Sequence, residues 1–170
     1  MSRGFVKEED QEEIPIVPPR ADLPIGAVNY VTKAGYDNLV EERNAFLFEK
    51  ESLQHDNEKE RRIASNLINA KLQLLNERIA SAKIVDLIEQ PQNEVRFGAT
   101  VTVAIDTTET SQQFQIVGVD EANIAKGKIS FLSPIARILI SKHVGDTTTL
   151  NLGKVKHVFK ILDISYTNQL

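Results

Sequence analysis

The sequence predicts an α+β protein: an N-terminal antiparallel helical hairpin with coiled-coil spacing, then an antiparallel β-sheet domain carrying one short helix. Three observations predict it. Residues 36–90 contain no glycine and no proline, although both occur on either side. Inside that window residues 54–62 are wholly polar and interrupt the apolar stripe, which divides the window into two helices and a bend. After Glu94 the apolar period changes from helical to alternating. An interior Gly costs a helix about 1 kcal/mol and an interior Pro about 3 kcal/mol, so their absence favours long helices.

Composition bounds the function. The chain has 170 residues, 41% hydrophobic and 26% charged, enough for one ordinary domain or two small ones. The net charge of −4 removes a whole-chain basic footprint for nucleic acid, leaving only local contact with it. There is no cysteine, which excludes disulfides, thiolate zinc sites and a cysteine nucleophile. No apolar run approaches the roughly 20 residues that cross a bilayer. The charged N-terminus lacks a signal-peptide core, and a cytoplasmic protein without membrane association is expected.

Residues 1–30 read as an extended or disordered leader. Pro15, Pro18, Pro19 and Pro24 force extended backbone, and Ile14, Ile16 and Val17 are candidates to dock on the chain itself or on a partner. The hairpin is expected over residues 31–86. Its first helix starts at Thr32, a favoured N-cap, and carries Leu39, Phe46 and Leu53 at spacings of seven. In the second, Ile68, Leu72, Leu75, Ile79 and Ala82 follow a 4-3-4-3 spacing, flanked by Ile63, Leu67, Ala70 and Leu74. The bend falls near residue 58, with arms of about 25 residues, or roughly 37 Å each. Asp56 and Asn57 are turn and N-cap types.

The sheet domain is expected over residues 94–170. Val95, Phe97, Ala99, Val101, Val103 and Ile105 alternate as a first strand; Phe114 and Ile116 begin a second, and Ile129 and Phe131 a third. Ser133-Pro134 opens a short helix whose apolar face is Ile135, Ala136, Leu139 and Ile140. Gly145-Asp146 turns the chain into a strand with Leu150 and Leu152, and residues 155–164 form a long last strand. Phe97, Phe114, Phe131 and Phe159 are expected in the core.

Three stretches of the second domain stand in a specific order: Phe97-Gly98-Ala99-Thr100-Val101-Thr102-Val103; Ile116-Val117-Gly118 with Asp120-Glu121-Ala122; and Ser133-Pro134-Ile135-Ala136-Arg137. With Thr32, Gly35 and Leu39 at the start of the hairpin and Ala82-Lys83-Ile84-Val85-Asp86 at its exit, they resemble the Gre family of bacterial transcript cleavage factors over about residues 30–166. The resemblance implies a coiled-coil hairpin and an FKBP-like sheet domain. It implies that the sheet domain docks on bacterial RNA polymerase at the rim of the secondary channel. The hairpin then enters the channel, and acidic tip residues reach the polymerase active site and the 3′ end of the nascent RNA.

Two features depart from the family pattern. Family tips resemble Gly-Asp-x-x-Glu-Asn, whereas this chain has His55-Asp56-Asn57-Glu58-Lys59-Glu60-Arg61. Asp56 takes the aspartate position, and the second carboxylate is Glu58 or Glu60. The hairpin is also shorter than the family's by about a heptad per arm, or about 10 Å of reach.

The residues expected to act follow from the resemblance. Asp56, Glu58 and Glu60 assist cleavage, with Asp56 and Glu58 helping to hold a Mg²⁺ shared with the polymerase, a hard ion suited to carboxylates and water. The same charges also suit a solvated bend. Lys59, Arg61, Arg62, Ser133, Pro134 and Arg137 contact polymerase or RNA, although the tip cations also suit pairing with nearby Glu. Arg43, Lys50 and Lys71 face RNA or solvent. Ser133 reads as a helix cap, since no His-Asp pattern accompanies it, and His55, His143 and His157 lack metal-ligand spacing. A monomeric accessory factor, not itself an enzyme, is the expectation. The alternatives are a channel-binding regulator without cleavage activity and a general coiled-coil interaction module.

Overall fold

The computed structural model describes residues 14–54, 57–106 and 110–167. His55 and Asp56 of the expected tip, and the first part of the leader, lie outside the described residues.

Two helices, α1 (Lys33–Glu51) and α2 (Glu58–Ser81), fold back on one another. Thr32 opens α1 in an extended conformation, its hydroxyl accepting the Gly35 N–H at 2.9 Å. Asn57 opens α2 in the same way, its side chain accepting from Lys59 N at 2.9 Å. Leu39 of one arm and Ile68, Leu72 and Leu75 of the other are buried. Burying each such side chain is worth about 1.5–3 kcal/mol. Toward the tip the stripe opens: Leu53 is half-buried and Ile63 is exposed.

The helices are unequal, which corrects the expected matched arms. Helix α1 ends at Glu51 and α2 already begins at Glu58, so the two arms do not meet at residue 58 as expected. With 19 residues α1 is about 28 Å long, and with 24 residues α2 is about 36 Å. The second helix does not continue to Ile84. It stops at Ser81 because β1 (Asn29–Val31) draws Ala82–Ile84 into a parallel pair as β2. Buried Asn29 secures that ending by donating to Arg78 O at 2.9 Å and to Ser81 Oγ at 3.1 Å.

The second unit is a five-stranded sheet of β3 (Thr100–Ile105), β4 (Ser111–Val117), β5 (Lys128–Ser130), β6 (Thr147–Leu152) and β7 (Val155–Ser165). Their order is β5-β4-β3-β7-β6. Every neighbouring pair is antiparallel except β4 with β5. That parallel pair departs from the wholly antiparallel expectation. The connection through the 3₁₀ turn Ile124–Lys126, ended by Gly127 in the left-handed region (φ 68°), re-enters the sheet in the same direction. The helix α3 (Pro134–Leu139) contributes Ala136 and Leu139 to a core with Val95, Val101, Val103, Ile116, Ile129, Phe159 and Ile161.

The first strand begins later than the alternation suggests. Val95 is buried, but residues 96–99 form a turn, closed by the Ala99 N–H on Arg96 O, in which Gly98 adopts φ 87°. Phe159 is buried as expected. Phe97, Phe114 and Phe131 are half-buried, and Phe114 and Phe131 pack at the margin of the core. Phe97 and Phe131 instead join Tyr30 of β1, with ring centroids 5.7–5.8 Å apart.

Candidate functional site: the hairpin tip and its mount

The described part of the tip is the first turn of α2, which places Glu58, Lys59, Glu60, Arg61 and Arg62 together. Acidic side chains in a first turn complement the positive end of the helix dipole, and both Glu58 and Glu60 occupy that turn. The side chain of Glu58 is 89% exposed, and its Oε1 lies 3.5 Å from Arg61 Nη2. An exposed pair at that distance contributes little to stability and leaves the carboxylate able to exchange partners. Beside it an open cleft of about 820 Å³ is lined by Lys50, Glu51, Leu53, Glu58, Lys59, Arg61, Arg62, Ser65 and Asn66. Four cations and two carboxylates share that lining, so the tip can present both an acidic and a basic surface.

The tip carboxylates are hard oxygen donors of the kind Mg²⁺ takes. Among the described residues no three acidic or histidine side chains are arranged to hold an ion by themselves. Asp56, the remaining expected ligand, lies outside the described residues.

The other expected contact residues sit on α3. Pro134 and Arg137 are exposed. The Ser133 hydroxyl accepts the Ala136 N–H at 3.2 Å and acts as the helix cap. None of the three lines the tip cleft, so the expected residues form two separate surfaces. Lys71, one of the cations expected to face RNA or solvent, is half-buried with its Nζ 5.4 Å from the centre of the Phe46 ring.

Between these surfaces lies a charged junction that sequence reasoning missed. Asp120, only 8% exposed, accepts from Arg20 Nε at 2.9 Å. Its other oxygen lies 3.3 Å from Arg78 Nε of α2, an ion pair without hydrogen-bond alignment. Arg20 also forks onto Glu42 of α1 at 2.9 and 3.0 Å, and this contact is the first cause of its raised pKa. Next in sequence, Glu121 accepts from Thr32 Oγ1 at 2.6 Å and from Lys128 Nζ at 3.0 Å. The backbone approaches closely here too: a Cβ on Gly118 would stand 2.6 Å from Tyr30 O. The one available signal was the adjacent pair Asp120-Glu121; its partners lie up to 100 residues away, beyond any local pattern.

These features define a class of protein: a long hairpin with a charged, exposed tip, joined through a charged and aromatic junction to a sheet domain that presents a second surface. Residues 90–166 match the family model described as "Transcription elongation factor, GreA/GreB, C-term". The chain is 37% identical over 118 residues to the transcription elongation factor GreA of Francisella philomiragia, covering 69% of this chain and 72% of that protein. It is 39% identical over 99 residues to the GreA of Maricaulis maris, covering 58% of this chain and 63% of the relative. The chain belongs to the GreA/GreB family of transcription elongation factors.

For the Maricaulis and Hyphomonas neptunium relatives, the match spans only 63% and 64% of their length. Among solved structures, the GreA factor homolog 1 of Thermus thermophilus is similar over 79% of this chain and 97% of that one, at 23% identity and a TM-score of 0.38. A GreA/GreB factor from Nitrosomonas europaea is similar over 81% and 98%, at 18% identity and a TM-score of 0.41. At those scores neither likeness bears on function.

Among the described residues no helix is long and apolar enough to cross a membrane.

Proposed function

We propose that this protein binds bacterial RNA polymerase through its sheet domain, sends the hairpin into the secondary channel and stimulates the polymerase's own cleavage of backtracked RNA. The protein is then an accessory factor, and the polymerase performs the hydrolysis. One observation carries the proposal: Glu58 and Glu60 occupy the first turn of α2, at the far end of a helix about 36 Å long, with Glu58 almost fully exposed. At that position the Glu58 carboxylate is open to another molecule.

In this reading Asp56, with Glu58 or Glu60, helps to hold a Mg²⁺ otherwise bound by the polymerase. Such an ion supplies charge stabilisation and an oriented water for phosphodiester hydrolysis. Lys59, Arg61 and Arg62 meet the nascent RNA 3′ end or an acidic channel wall. Pro134 and Arg137, exposed on α3, belong to the docking surface, while Ser133 fixes the geometry of that turn.

A second reading, a channel-binding regulator without cleavage activity, is favoured by the cation-rich tip cleft and the Glu58–Arg61 pairing. Adding the protein to arrested elongation complexes separates the readings. Released 3′ RNA fragments support the cleavage factor. Tight polymerase binding without release selects the regulator, and absence of binding leaves a general coiled-coil interaction module.

A further inference from the structure

The leader behaves differently along its length. Ile14 and Ile16 are 88% and 94% exposed, so the expected docking of these residues on the chain itself does not occur. Val17 is half-buried, and residues 17–21 line a groove of about 400 Å³ between the hairpin residues Phe46, Lys71 and Leu74 and the sheet-domain residues Val119 and Ala122. Pro18 and Pro19 preset the extended backbone that lies there.

Arg20 lies within this segment, its side chain 19% exposed. Its two terminal nitrogens bind Glu42 of α1, and its Nε binds Asp120 of the sheet domain. The planar fork of arginine suits simultaneous contact with two carboxylates, which lysine cannot reproduce. Arg78 of α2 holds the segment from the other side, donating to Ala21 O at 2.6 Å.

We propose that residues 17–21 form a strap that sets the angle between the hairpin and the sheet domain, with Arg20 as its positioning residue. The argument is one of leverage. The other junction contacts, Arg78 with Asp120, Thr32 with Glu121, and Tyr30 with Phe97 and Phe131, lie at the base of the hairpin, where their leverage on its angle is small. Glu42 lies ten positions beyond Thr32, about 15 Å up the arm, where the same force exerts more torque. Without Arg20, Glu42 and Asp120 would lose the cation that both of them share. The consequence for transcription rests on the proposed function: once the sheet domain has docked, the strap fixes where the tip points.

The chain contains no cysteine, so two spin labels can be placed cleanly in the full-length protein, through Glu49→Cys on α1 and Lys154→Cys on the sheet domain. Their separation is measured by pulsed electron resonance, with thermal melting in parallel. For an arm of about 28 Å, a swing of about 10° moves its end by about 5 Å. Arg20→Ala is expected to shift or broaden the distance distribution on that scale while the protein stays folded, and Arg20→Lys to give an intermediate result. If Arg20→Ala does not fold, Arg20→Gln is measured in its place. A distribution superimposable on that of the parent, even with a lowered melting temperature, overturns the strap. No polymerase is involved, so that failure is distinct from failure of the proposed function.

Discussion

The hydroxyl of Thr32 serves two partners at once, accepting the Gly35 N–H at 2.9 Å to cap α1 and donating to Glu121 Oε2 at 2.6 Å. One side chain therefore starts the hairpin and fastens it to the sheet domain. Thr32→Val keeps the shape and removes both bonds. Loss of the cap alone costs about 1 kcal/mol, and leaving the buried Glu121 carboxylate short of a donor adds about 1–3 kcal/mol. The expected outcome is a lower chemical-denaturation midpoint for Thr32→Val, with Thr32→Ser close to the parent.

Gly118 tests the same junction from the other side. Tyr30 O occupies the space a Cβ would need, at 2.6 Å, and backbone does not yield easily. Gly118→Ala is expected to destabilise by about 1–3 kcal/mol through overpacking. It should also perturb the Tyr30–Phe97–Phe131 cluster, visible in near-ultraviolet circular dichroism. An unchanged aromatic signal and midpoint would show that the approach is looser than described.

At the tip, Asn57 and Glu58 separate structure from function. Asn57 caps α2, and Asn57→Ala is expected to cost about 1 kcal/mol, seen as faster hydrogen exchange at the amides of Lys59 and Arg61. Glu58→Ala breaks an exposed pair and removes one favourable charge from the start of α2, and is expected to change stability by less than about 1 kcal/mol. A large loss of stability in Glu58→Ala would recast the tip as a structural bend.

At the other end of β3, Asp106 bonds His157 Nδ1 at 2.8 Å and accepts the Val158 N–H at 2.8 Å. The His157 contact, first, and the Val158 N–H hold its pKa below the ordinary carboxylate value. A depressed carboxylate contributes stability that is present above its unfolded pKa and lost as the pH falls through the folded value. Asp106→Asn is therefore expected to flatten the acid limb of the stability profile below about pH 4. An identical acid limb in the variant would exclude this contribution.

Local signals made much of the fold legible. Thr32 and Ser133 announced two helix starts, and the shift to alternating apolar residues announced the sheet. Other features depend on distant partners. The second helix ends at Ser81 because Asn29 holds its last turn, and no pattern near residue 81 records that. Phe97 reads as a core strand position, yet a glycine turn redirects it to Tyr30. Arg20 reads as one charge in a proline-rich leader; only folding brings it to Glu42 and Asp120. Of the tip, the acidic and basic residue types were legible, whereas their grouping in a single turn depends on where the bend falls.

The central claim is that the tip carboxylates act on the polymerase's cleavage reaction. It is tested most directly by the rate of 3′ RNA fragment release from backtracked complexes, comparing the parent with the triple variant Asp56→Ala, Glu58→Ala, Glu60→Ala at equal polymerase occupancy. The account predicts release with the parent and loss of at least about tenfold in rate with the variant, equivalent to about 1.4 kcal/mol of barrier. Equal rates for the two proteins would contradict it.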